Sequence, residues 1–217
     1  MVAHPVGGAV QPVITQVEVP AGMLGADPAT FEVRCFVVPR PDGVVVVDVG
    51  PPTTGKQIEA VLAQLGATWS DVSDIVLTHA HVDHIGGLVE VAKHAPRAVV
   101  RAGAGDLSEI RFDGRAIEPL AEADRVRDLV VLETPGHTPG HLSLLDEANS
   151  LVLVGDAVGS VGGALSFGPP AFTADPGQAR ASLERLARLA VGSFVFSHGA
   201  EVDDPSAAIG HLLHVSG

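Results

Sequence analysis

The chain has 217 residues, 46% hydrophobic and 18% charged, which excludes a disordered polypeptide and allows a substantial buried core. Its 13 basic and 26 acidic residues give a net charge of −13, and the arginines between Arg97 and Arg127 are dispersed among acids. Such a field repels phosphate backbones, so no nucleic-acid partner is expected. Aromatic residues make up only 4% and tyrosine is absent, so the core must rest on Val, Leu, Ile and Ala. The single cysteine, Cys35, excludes an intrachain disulfide and sits in an apolar run where a small buried residue is expected. The opening MVAHPVGGAV lacks the charged and continuously apolar regions of a signal peptide, and no stretch is long and apolar enough to cross a bilayer. A cytoplasmic protein without a membrane partner is expected.

In chain order, β-branched and apolar runs predict strands at 33–38 and 44–47, joined by a Pro41-Asp42-Gly43 turn. Residues 54–65 carry Ile58, Val61, Leu62 and Leu65 at helical spacing. A strand at 75–77 leads into a histidine cluster, and a helix is predicted over 85–94. Further strands are predicted at 98–100, 129–132, 142–145, 151–154 and 194–196. Several of these are too uniformly apolar to alternate, so both of their faces should be buried. Asp175-Pro176 reads as an N-cap followed by Pro at the first helical position, opening a helix over 176–189 with a Glu184–Arg188 pair. A final helix is predicted at 205–213. Strands interleaved with helices predict a layered α/β fold, and no repeat, linker or charge block divides residues 1–217 into more than one domain.

The chemistry concentrates just after strands. Thr78-His79-Ala80-His81-Val82-Asp83-His84 places three imidazoles and a carboxylate within six residues. Imidazole nitrogen and carboxylate oxygen are the ligands that borderline divalent metals prefer. The spacing lets His79 and His81 point one way and Asp83 and His84 toward a neighbouring position, so one tight turn can serve two ions. Pro135-Gly136-His137-Thr138-Pro139-Gly140-His141 follows another strand, Gly155-Asp156 a third and His198-Gly199 a fourth. Loops after strands are where α/β scaffolds present functional groups. Taken alone, Asp156 or His198 reads more readily as a turn residue or helix cap than as a ligand. Their repeated placement is what points to a shared site.

The order H-x-H-x-D-H, Gly-His, Gly-Asp, His-Gly resembles the metallo-β-lactamase-fold superfamily from Val33 to Gly199. The resemblance implies an αβ/βα four-layer sandwich, two β-sheets face to face with helices outside. It implies that His79, His81 and His137 bind one metal, that Asp83, His84 and His198 bind a second, and that Asp156 bridges both. Asp48 and His141 match positions that support ligands from behind, although Asp48 alone also reads as a simple turn residue. Two divalent ions are implied, zinc by default and iron or manganese otherwise. A bridging Asp156 points to the glyoxalase II-like and lactonase-like hydrolases, because true β-lactamases of the family usually lack it. The chain ends at Gly217, before the basic helical extension with which glyoxalase II contacts glutathione. It also lacks the tyrosine that acyl-homoserine lactonases place near their metals.

The expected reaction is attack of a metal-bridging hydroxide on a small ester, thioester or lactone, with Asp83 orienting the nucleophile and moving its proton. The alternatives are iron-dependent oxygenation of a persulfide, β-lactam hydrolysis, or a metal-stabilised binding protein. For the pocket wall of this small-molecule substrate, the candidates are Met23, Leu24 and Phe31, and Leu165, Phe167 and Phe172 from the Gly/Pro-rich stretch 158–173, read as an irregular loop.

Overall fold

Uninterrupted Val, Ile and Leu runs can be buried on both faces only where strands are packed from two sides. The computed structural model, which describes residues 10–22, 27–113, 115–202 and 204–215, realises that arrangement. Its strands are β1 (Gln11–Val19), β2 (Ala29–Arg40), β3 (Gly43–Val47), β4 (Val72–Leu77), β5 (Val99–Gly103), β6 (Ile117–Leu120), β7 (Arg125–Val126), β8 (Leu129–Glu133), β9 (Leu142–Asp146), β10 (Leu151–Leu153), β11 (Gly159–Val161), β12 (Ala164–Ser166) and β13 (Ser193–Val195). Its helices are α1 (Gly55–Gln64), α2 (Val82–Ile85), α3 (Leu88–His94), α4 (Pro176–Leu186) and α5 (Pro205–Val215).

One sheet runs β1-β2-β3-β4-β5-β6, antiparallel through β3 and parallel from β3 to β6. The other runs β13-β10-β9-β8-β7, with β10 and β13 parallel and the remaining pairs antiparallel. Successive side chains on a strand face opposite ways. Phe36, Val38, Val45, Val47 and Val76 of the first sheet therefore meet Leu129, Val131, Leu142, Leu144 and Leu153 of the second in a shared core. Their neighbours Cys35, Val37, Val44, Val46, Ile75 and Leu77 turn outward onto Ile58 and Leu62 of α1 and Leu88 and Val91 of α3. On the far side, Val152, Val154, Phe194 and Phe196 take Leu183 and Leu186 of α4 and Ile209 and Leu212 of α5. The result is the four-layer αβ/βα sandwich. Among the described residues no helix is long and apolar enough to cross a membrane.

Local details depart from the sequence reading. The helix expected over 85–94 is broken at Gly86-Gly87 into α2 and α3, and a Cβ on Gly86 would lie 2.6 Å from Pro52 Cδ. The α4 helix begins as predicted, with the Asp175 carboxylate accepting from Gln178 N–H at 2.9 Å. It stops at Leu186, however, so Arg188 lies beyond it and Glu184 pairs instead with Arg180 at 3.2 Å. The stretch read as an irregular loop contains the β11–β12 hairpin, turning at Gly162-Gly163, and a 3-10 turn at Pro170–Phe172.

Candidate metal centre

The loops following β3, β4, β8, β10 and β13 open at the same end of the two sheets, and between them they carry every ligand candidate. The loop after β4 turns at once into α2, whose N-cap is His81 and whose first turn holds Asp83. Its conformation is fixed from below by Asp48, which holds φ 58° in the left-handed region. One Asp48 oxygen accepts from Thr78 N–H at 2.7 Å; the other accepts from the Thr78 hydroxyl and His84 Nδ1–H, each at 2.8 Å. With Nδ1 donating, His84 turns Nε2 inward. His198 does the same, donating Nδ1–H to the Glu32 carbonyl at 2.9 Å. Such outer bonds fix the tautomer and orientation of a ligand imidazole.

The inward atoms converge in three groups whose members lie within 4.8 Å of one another: His79, His81, His137; His79, His84, Asp156; and Asp83, His84, His198. His137 Nε2 lies 2.9 Å from His81 Nδ1, and His84 Nε2 lies 3.4 Å from His198 Nε2. Asp156 stands between the outer groups. Its Oδ2 is 3.4 Å from His137 Nε2, 3.9 Å from His79 Nε2 and 3.1 Å from His198 Nε2, and its Oδ1 is 3.3 Å from His84 Nε2. Asp83 Oδ2 approaches His198 Nε2 at 3.5 Å and His84 Nε2 at 3.8 Å.

His79 Nε2 is buried without a hydrogen-bond partner. A buried polar atom is rarely left so. Its position among inward-facing imidazole nitrogens and a carboxylate is what a cation would satisfy, so the donor set fits divalent metals.

The electrostatics divide the histidines. Burial pushes His79 and His81 down, and takes His137 to about 4 and His141 to about 3, so these rings are neutral. Burial opposes charge on His84 and His198, but the charge and hydrogen bond of Asp156, joined by Asp48 at His84 and the Glu32 carbonyl at His198, together outweigh it; both rings are held above their ordinary range. For Asp156, the charges of His84 and His198 overcome the effect of burial and hold the carboxyl well below its ordinary range.

His141 does not face the groups. Its Nε2 accepts the Asp156 N–H at 2.9 Å, and its Nδ1–H donates to Thr134 Oγ1 at 2.9 Å. That contact needs Gly155, where a Cβ would lie 2.7 Å from His141 Nε2 and where φ is +55°.

Of the pocket candidates, Phe31 packs its ring 5.4 Å from His198 and Phe172 lies 6.2 Å from His81. Leu165 and Phe167 pack on the core beneath α4 and α5, and Met23 and Leu24 lie outside the described residues. The sequence reading missed Val82, 69% exposed between two ligand candidates, and Asp106, a buried carboxylate that bonds both the 79–84 and 137–141 loops. The available signal for Asp106 was its place just beyond a strand, in a Gly103-Ala104-Gly105-Asp106 run.

Residues 30–198 match the model of the metallo-β-lactamase superfamily. An uncharacterized Bacillus subtilis protein, YobT, is 31% identical over 208 residues, 82% of this chain and 88% of its own. The hydroxyacylglutathione hydrolase of Aeromonas hydrophila is 29% identical over 182 residues, 78% of this chain, but this chain spans only 61% of that enzyme. A metallo-β-lactamase family protein from Thermus thermophilus superposes with a TM-score of 0.68 at 22% identity, over 94% of this chain and 79% of its own. By the span of the family match and by its relative of 31% identity, this chain belongs to the metallo-β-lactamase superfamily.

Proposed function

We propose that this protein is a dinuclear metal-dependent hydrolase of a small ester, thioester or lactone. The observation that carries the reading is the pair of donor groups with no residue in common, His79/His81/His137 and Asp83/His84/His198, with the Asp156 carboxylate within 3.4 Å of a nitrogen from each. Those groups would each hold one ion, zinc by default and iron or manganese otherwise, with Asp156 reaching both. Bound there, two cations would bring the pKa of a shared water to about 7 and polarise a substrate carbonyl.

The chain's own residues supply the rest. Three buried or half-buried neutral imidazoles present lone pairs in the first group, and His84 and His198 are locked by their Nδ1 bonds in the second. Asp83, partly exposed at the mouth, orients the attacking water and carries its proton to the leaving group. Phe31, Phe172 and Val82 give the mouth an apolar rim suited to an acyl chain, and the net charge of −13 disfavours strongly anionic substrates. The described residues act as one domain, because three cores share two sheets.

Metal content per chain and hydrolysis across carbonyl substrates, before and after chelation, test the reading together. Two metals with activity lost to a chelator and restored by zinc is the expected result. One iron with oxygen consumption, or full occupancy with no turnover, would sink it.

A further inference from the structure

We infer that Asp106 is a positioning residue that clamps the first donor group, joining the loop that carries His79 and His81 to the loop that carries His137. The inference rests on the two-metal reading above. Asp106 closes a short 3-10 turn, Ala104–Asp106, directly after β5 and is 1% exposed. Its Oδ2 accepts from Ala80 N–H at 3.0 Å and from the Thr138 hydroxyl at 2.6 Å, and its Oδ1 accepts from Gly140 N–H at 2.6 Å. Ala80 stands between His79 and His81, and Thr138 follows His137. One carboxylate thus sets the separation of two loops that are 56 residues apart in the chain at the His81 to His137 contact.

The loops meet backbone to backbone, and glycine permits it. A Cβ on Gly103 would collide with the Gly140 carbonyl, and one on Gly105 would lie 2.8 Å from Gly140 N. A Cβ on Gly140 would in turn collide with Asp106 N. A carboxylate that merely satisfied its own burial would need no such approach.

Comparison with Asp48 defines what Asp106 does. Asp48 bonds a ligand imidazole directly, His84 of the second group, as well as Thr78 beside His79. Asp106 touches no imidazole nitrogen; it bonds Ala80 and Thr138, beside the first group's ligands, and Gly140, beside His141. It therefore governs chiefly where those ligands stand, its charge adding only a lesser upward push on His81, and its loss should loosen one metal and spare the other.

The test uses the full chain with zinc as probe, titrated against a chelating indicator. Asp106→Asn offers one acceptor oxygen and turns an NH2 donor toward the remaining donors. One zinc equivalent should weaken by about 10–100-fold while the other keeps its affinity. In a His137→Ala background, Asp106→Asn should leave the remaining equivalent unchanged. Thr138→Val removes one bond and should weaken the same equivalent by about five-fold, with Thr138→Ser restoring it. Equal loosening of both equivalents, no loosening in either variant, or an undiminished effect in the His137→Ala background overturns the inference. If Asp106→Asn does not fold, Thr138→Val alone decides. Selective loosening in a protein that hydrolyses nothing would sink the hydrolase reading and leave this one standing; lost turnover with both zinc affinities unchanged would do the reverse.

Discussion

The two ends of the β-sandwich treat buried charge in opposite ways. At one end, Arg40 lies 2.5 Å from Asp146, their side chains 4% and 1% exposed, and also meets Asp128. Beside it, Arg127 bonds Asp42 at 2.8 Å and Asp74 at 2.9 Å, and Arg101 bonds Asp74 at 3.1 Å. Those arginines all meet carboxylates. At the other end, imidazole nitrogens face one another and a carboxylate, and His79 Nε2 has no partner. Buried charge that closes on itself holds layers together; buried donors left open are shaped for something that is not protein. The presence of charged residues does not distinguish the two ends, but their state of satisfaction does.

The largest effect should come at the open end. Asp83→Ala should reduce kcat by about 10²–10⁴-fold while the circular dichroism and melting curve stay near those of the parent. Near-native turnover would refute the role given to Asp83. The closed end should respond the other way. Arg40→Ala leaves Asp146 buried without its cation and should cost about 3–5 kcal/mol in denaturant unfolding, with turnover per folded molecule unchanged. A variant of full stability would show that the pairing there is not needed.

Acid should separate the ends next. His141, at about 3, and His137, at about 4, stay neutral in the fold but take up protons near their ordinary 6.5 when unfolded. Below 6.5 the unfolded chain therefore binds more protons, and each residue removes about 1.4 kcal/mol of stability per pH unit down to its folded value. His84 has the opposite sign: held above 6.5 by Asp156 and Asp48 against burial, its contribution is complete below 6.5 and fades as pH rises through its folded pKa. The urea midpoint of the metal-free protein should peak near pH 6.5 and fall on both sides, and His141→Gln should flatten the acid limb. A midpoint level from pH 6.5 to 4.5 would contradict this. The smallest effect concerns the rim. Phe172→Ala should lower kcat/KM for long-chain acyl esters by about five-fold through lost apolar contact, and leave acetyl esters unchanged; equal losses across chain lengths would remove Phe172 from the pocket.

Much of the fold was legible because burial on two faces writes itself as unbroken Val and Leu runs, as in β2, β3 and β4. What escaped detection lacks that signature. The edge strand β1 mixes Gln11, Thr15, Gln16 and Glu18 with its apolar residues and becomes a strand by pairing along β2. The β11–β12 hairpin hides in a Gly-rich composition, and α4 ended a turn early, which moved its ion pair to Arg180. At the site, His79, His81, Asp83, His84, His137, Asp156 and His198 stood out because their residue types follow strands. Asp106 did not, because an aspartate beyond a strand is ordinary until the loop it bonds is known.

Residue order alone was enough to name the available donors and to put them at strand ends, since ligand chemistry belongs to the side chain and strand burial to its neighbours. It took the folded arrangement to bring these donors into three overlapping groups, with Asp156 in reach of both His137 and His198, and to turn the Nε2 atoms of His84 and His198 inward. The same arrangement sets Asp48 and Asp106 behind the loops they hold. Those facts depend on which strands lie side by side, on the bonds made across 30 or more residues, and on glycines that let two backbones touch.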